Sequence, residues 1–328
     1  MGAKMIDDNA RAKHVETTPT DSGADASMST TTGDEPVQAV PTREELPGLP
    51  RLNYNLWHHK TKLSIVAGLL ILESSILPIA LFYGLRFSDL RIGLIFAVIT
   101  SFFGIVTGIE YGFRILKLTR KHDDNFRPLG TTSRWCFDYT HHTLGIGYFY
   151  MSALLIGASV PHTPPIRPLA MPVCLIVIQA GAQLVWHGWM HARHRPAPFR
   201  ISSVPKGQRV RPLVYTLVED IIAVDGNAGK EYRAALDARY AASAHFRRLL
   251  VQLNWFWAVG ALVDGIGTLV VIWTVPEVVA YGIGWGSPLV FVTIWTVVTV
   301  LWVRRSLRNE KTWWVGGRRE NWTEKYTA

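Results

Sequence analysis

Ile92-Gly-Leu-Ile-Phe-Ala-Val-Ile-Thr-Ser-Phe-Phe-Gly-Ile-Val-Thr-Gly-Ile-Glu-Tyr-Gly-Phe113 holds one charged side chain, Glu110, in a run that is otherwise apolar or small. A helix needs ~20 such residues to cross the ~30 Å hydrocarbon core of a bilayer. Five more runs come close to that length or exceed it: 62–84, 143–160, 169–187, 249–275 and 278–303. The sequence therefore predicts an all-α fold, a polytopic membrane helical bundle of about six transmembrane helices. Pro78 is expected to kink the first span. Gly104-x-x-x-Gly108 in the second span, and Gly260, Gly265 and Gly267 in the fifth, are expected to allow close helix approach.

The chain has 34 Lys and Arg against 25 Asp and Glu, a formal net charge of +9. In a soluble protein that excess could mark a nucleic-acid partner; beside six apolar runs it fits the retention of Lys and Arg in cytosolic loops, and no nucleic acid is expected. With both termini inside, the short outer segments 85–91, 161–168 and 276–277 hold only Arg86, Arg91 and Arg167 of those 34 basic residues. The lipid bilayer is the expected partner. The sequon Asn321-Trp322-Thr323 then stays on the cytosolic side. Residues 1–50 are polar, without periodicity or an apolar signal core, and read as a disordered cytosolic tail. The organisation expected is this tail, four spans within 51–191, a cytosolic loop at 192–243, two spans within 244–303, and a basic cytosolic tail at 304–328. Cys136 and Cys174 read as free thiols.

The long loop opens irregularly at Pro196-Ala-Pro198. From Pro212 onward, Leu213, Val214, Leu217, Val218, Ile221 and Ile222 recur at helical spacing, with Tyr215, Thr216, Glu219 and Asp220 largely on the other side. That pattern predicts an amphipathic surface helix of about 13 residues, its polar face solvated, ended by Asp225-Gly-Asn-Ala-Gly229. Glu219, Asp220 and Asp225 could bind a cation, although their spacing matches no calcium or magnesium loop. A second helix is expected over 230–242, and Ser243 is a candidate N-cap for a helix running into the fifth span.

Ionisable groups at bilayer depth are costly, about 2.5–3.5 kcal/mol each on insertion scales, and so are candidates for function. Glu73 and Asp264 lie mid-span without a local partner; Glu110 has Arg114 one turn on, as an expected pair. Gln179, Gln183, His187 and His191 follow at intervals of four and share one face of the fourth span. Two histidines at that spacing can hold one metal ion, which makes His187 and His191 candidate metal ligands. The alternative is that the glutamines join helices and the histidines sit at head-group level.

His58-His59, His141-His142 and His187-x-x-x-His191-x-x-His194 resemble the histidine boxes of membrane di-iron desaturases and hydroxylases. That resemblance implies two irons and oxygen activation, but Asn55 and Asp138 stand where the leading histidines of such boxes belong, and the order of boxes differs. The stretch Arg211-Pro-Leu-Val-Tyr-Thr-Leu-Val-Glu-Asp-Ile-Ile-Ala-Val-Asp-Gly226, with Ala238-Arg-Tyr-Ala-Ala-Ser-Ala-His-Phe-Arg-Arg248, resembles multi-pass membrane proteins of filamentous fungi. It implies an endomembrane such as the endoplasmic reticulum and no particular chemistry.

The reading that follows is a membrane-embedded enzyme acting on a lipid-like or terpenoid small molecule from the cytosolic side. Glu73, Glu110, Gln183, His187 and Asp264 would be its catalytic candidates, the carboxylates as acid and base. A transporter or channel would place Glu73, Gln179 and Asp264 along a pathway, yet no internal repeat is present. A membrane scaffold would use the long loop as its surface. The chain contains no Gly-x-Ser-x-Gly, Walker or Gly-x-Gly-x-x-Gly motif.

Overall fold

The computed structural model describes residues 48–52, 54, 60–87, 90–121, 124–131 and 133–327. The expected disordered tail thus lies almost wholly outside the described residues, as do His58 and His59. Every regular element among the described residues is helical: α1 (Lys60–Ile71), a π-helical turn (Leu72–Ile76), α2 (Leu77–Leu85), α3 (Ile92–Thr119), α4 (Tyr139–Ser159), α5 (Ile166–Leu169) and α6 (Pro172–Ala192). Then come α7 (Leu213–Asp220), a second π-helical turn (Ile221–Asp225), α8 (Gly229–Ala242), α9 (Ala244–Thr274) and α10 (Glu277–Thr327).

Local chemistry sets several boundaries. The Asp138 carboxylate accepts the amide of His141 at 2.8 Å and starts α4, and Pro172 opens α6. The Ser243 hydroxyl accepts the amide of Phe246 at 3.1 Å, so the expected cap and the continuous α9 are both present. Pro78 lacks an amide and crowds the carbonyl four residues back, and the π-helical turn that precedes it absorbs the misfit.

Among the described residues four helices are long and apolar enough to cross a membrane: Ile92–Thr119, Pro172–Ala192, Ala244–Thr274 and the Glu277–Thr312 part of α10. Four of the six expected runs are thus matched by such helices. The first run is divided by its π-helical turn, leaving a shorter apolar segment at Leu72–Leu85. The third run is helical, but α4 opens on Tyr139-Thr-His-His142 and carries Tyr148 and Tyr150, which lower its hydropathy. Close approach occurs where Gly181 of α6 meets Leu262 and Gly265 of α9 meets Ile178, whereas a Cβ at Gly104 or Gly108 would meet open space. The apolar core lies at the end away from the long loop. There Phe82 packs on Phe96 and Tyr281 at 5.5 and 4.2 Å, and the Trp285 indole donates to the Leu169 carbonyl at 3.0 Å.

One further expectation is corrected. The amphipathic helix exists, as α7 and its π-helical turn, but its polar face points inward: Tyr215, Thr216, Glu219 and Asp220 are buried, while Ile221 is 47% exposed. Polar partners on other segments await that face, so burying it costs less than leaving those partners unmatched. Residues 304–327 continue the helix of α10, and Glu310 is buried against Arg239 at 2.5 Å. A short hairpin-like turn, bridged at Pro196–Arg209 and Ile201–Val204, packs Ala197, Ile201, Val204 and Val210 on Met190.

Candidate functional site

The polar face of α7 is the centre of a buried ionic network. Asp138, Glu219, Asp220 and Arg233 are each 0% exposed, and Arg114 is 5% exposed. From α8, Arg233 Nη1 donates to Glu219 at 2.9 Å and to Asp220 at 2.7 Å, and its Nη2 lies 3.7 Å from Asp138. From α3, Arg114 Nη2 donates to Asp138 at 2.6 Å, and Nη1 to Asp225. Arg114 thus spends its guanidinium on the loop rather than on Glu110, the partner expected from spacing.

Hydroxyls complete the network. Asp220 Oδ2 accepts the amide and hydroxyl of Thr140 at 3.2 and 2.9 Å and the hydroxyl of Ser202 at 2.6 Å. Ser203 donates to Glu219. Ser202 holds φ 47°, a left-handed conformation that costs a non-glycine residue of order 1–3 kcal/mol. Its hydroxyl also accepts the Tyr139 amide at 2.9 Å, so the strain is maintained where the turn, α4 and α7 meet.

Three buried carboxylates here share two guanidinium groups. Burial pushes Asp138 up to about 7, with Asp220 adding repulsion and Arg114 opposing. Burial also pushes Glu219 up to about 6, against the attraction of Arg233. Burial thus favours keeping a proton on this network.

Above it, toward the bundle, the polar trail continues. His141 is stacked between Tyr111 at 4.3 Å and Phe137 at 4.6 Å. Glu73, buried in the first π-helical turn, is near enough to Glu110 for their charges to repel, and Tyr148 lies in the field of both. Glu73 Oε1 has no hydrogen-bond partner among the described residues.

The other expected site residues are placed separately. Gln179 donates to the Thr143 carbonyl at 3.0 Å, joining α6 to α4, and Gln183 is half-buried on the same helix. His187 is fully buried between Tyr139 and Trp186, with the Arg211 backbone beside it. His191 turns Nδ1 to the Val210 carbonyl at 2.8 Å, which places the proton on that nitrogen. Among the described residues no group of three or more His, Cys, Asp or Glu side chains is placed to hold a metal ion. Asp264 accepts from Ser287 at 2.9 Å, so it pairs with α10.

Sequence reasoning missed Asp138, Arg114 as a loop ligand, and Arg233. The available signal was an acidic pair, Glu219-Asp220, on a helix too apolar elsewhere to leave both solvated. The family model described as "Domain of unknown function (DUF8766)" matches residues 38–314 and so takes in both the buried network and the Glu73–Glu110 pair. No curated protein and no solved structure matches the chain.

Proposed function

We propose, from the premise that the chain belongs to the DUF8766 family, that it is a membrane-embedded enzyme performing acid–base chemistry on a lipid-like substrate. The observation that carries this reading is Glu73, a carboxylate buried in the bundle on a π-helical turn with one oxygen unpartnered among the described residues, with Glu110 near enough for the two charges to repel. Paired carboxylates in unlike surroundings take different protonation states, which is the arrangement a general acid and a general base need. π-helical turns occur often at functional positions because they re-aim one side chain without ending the helix. Tyr148 supplies a further hydroxyl beside the pair.

The half-exposed Asp225, whose charge reaches Glu110, supports proton exchange of the pair with one side of the membrane. In this proposal that side is the cytosol and the membrane is an endomembrane. The reading rests on Glu73 and Glu110 rather than on His191, whose Nδ1 is turned to Val210, or on Asp264, one oxygen of which is held by Ser287.

The test is mass spectrometry of lipid extracts incubated with the purified protein, for wild type, Glu73→Gln and Glu110→Gln. Wild type should convert one lipid class, each variant should lose at least about a hundredfold of that rate, and the variants should co-purify with the unconverted molecule. An extract left unchanged by wild type, or changed equally by both variants, would discard the proposal. Orientation is read separately at Cys136, a half-exposed free thiol: an impermeant maleimide should label it only after the membrane is opened.

A further inference from the structure

The turn that leaves α6 carries a feature used by neither the carboxylate pair nor the buried network. From His187 to Val218 the sequence has no Asp or Glu, yet it contains Arg193, Arg195, Arg200, Lys206, Arg209 and Arg211. Two of these are committed internally: Arg200 donates to the Ser202 and Leu129 carbonyls, and Arg211 pairs with Asp237 at 2.5 Å. Arg193, Arg195, Lys206 and Arg209 are exposed and make no ion pair among the described residues.

The backbone gathers these four charges. His194, at φ 54°, reverses the chain straight after α6. The Val210 amide then donates to the Arg195 carbonyl at 3.2 Å and the Ala197 amide to the Gln208 carbonyl at 2.7 Å, so Arg195 and Arg209 flank one paired ladder. Its apolar side packs on Met190 and Trp186, which fixes the ladder against the last turns of a helix long and apolar enough to cross a membrane. At the same end Trp189 and Phe199 are 46% and 48% exposed, and Phe199 stacks on Trp186 at 6.0 Å.

Exposed aromatic rings at a span end sit at head-group level, and unpaired basic side chains just beyond them lie within a Debye length of the lipid phosphates. We propose that this turn is a binding surface for the head groups of anionic phospholipids. An acidic protein or a nucleic acid would not call for Trp189 and Phe199 beneath the charges. The inference needs α6 to cross a bilayer and is independent of the acid–base reading.

Full-length protein in nanodiscs tests it, with the relative association of spin-labelled phosphatidylserine and phosphatidylcholine as the readout. Wild type should prefer phosphatidylserine, and the preference should shrink as salt is raised. The variant Arg195→Gln/Lys206→Gln/Arg209→Gln should lose about fivefold of that preference per charge removed, with an unchanged melting temperature. Arg305→Gln/Arg308→Gln, on α10, should retain it. An equal loss in both variants would assign the effect to overall charge and overturn the proposal. So would a wild type without preference, or turn charges that alter binding of a soluble acidic polymer and leave phosphatidylserine unaffected.

Discussion

At Asp220 one carboxylate takes four hydrogen bonds from Thr140, Ser202 and Arg233, which is near the full acceptor capacity of the group. Its neighbours are less completely matched: Glu219 Oε2 has no partner among the described residues, and Asp138 divides two guanidinium groups with the others. Asp138 and Glu219 both have folded values raised above the ordinary carboxylate range, so between about pH 4 and 7 the folded state binds more protons than the unfolded one. Their contribution is therefore fully present at acid pH and is lost as pH rises through about 6 to 7. Relative to Asp138→Asn, the wild-type melting temperature in detergent should fall between about pH 4 and 7, whereas a relative rise would contradict the protonation of this network. Ser202 provides a second residue-scale outcome. Ser202→Ala keeps the left-handed strain, removes one of the four hydrogen bonds to Asp220 and leaves the Tyr139 amide without its acceptor, at a cost of about 1–3 kcal/mol. Ser202→Gly loses the same hydrogen bonds but relieves the strain, so by thermal melting the glycine variant should be the more stable of the two.

At the scale of elements, α7 is held on both faces: Leu213, Val214, Leu217 and Val218 pack in apolar clusters, while its polar side chains enter the ionic network. Its first amide, Leu213, donates to Asn254 of α9 at 2.8 Å, and the Asn254 amide donates to the Leu184 carbonyl of α6 at 2.9 Å. One fully buried side chain thus joins three helices. Asn254→Ala would leave the buried Leu213 amide unmatched and remove the added bond to the Leu184 carbonyl, and a loss of about 1–3 kcal/mol is expected on denaturant titration. A loss below the scatter of such titrations would mean that water replaces the side chain. Periodicity placed α7 correctly and reported its two faces, but it assigned the polar face to solvent. Period alone reports that the faces differ; which one is buried depends on what other segments present to it, and the partners Asp138, Ser202 and Arg233 are distant along the chain.

For the molecule as a whole, the loop and the far end of α10 form one layer. Arg239 of α8 makes a two-pronged pair with Glu310 and also donates to the Pro50 carbonyl at 2.8 Å, so residues before the first helix, inside the loop and after the last apolar segment converge on one guanidinium. Removing one partner of a buried pair leaves an uncompensated charge, worth about 3–5 kcal/mol. Glu310→Ala should lower the melting temperature and speed protease cleavage within residues 192–243, and cleavage at the wild-type rate would show that α10 does not support the loop.

The sequence by itself determined the all-helical class, the apolar runs, the cap at Ser243, and the candidacy of Glu73 and Glu110. Each of these follows from residues within a few turns of one another, where helix geometry and bilayer thickness are enough. Only the tertiary structure decided that Arg114 leaves Glu110 for Asp138 and Asp225, that Glu219 and Asp220 turn inward, that one oxygen of Asp264 is held by Ser287, and that Glu310 anchors what read as a tail. The reason is electrostatic: a charge that leaves water must find its opposite, and in this chain the opposite lies up to 111 residues away, a separation across which no local pattern reports.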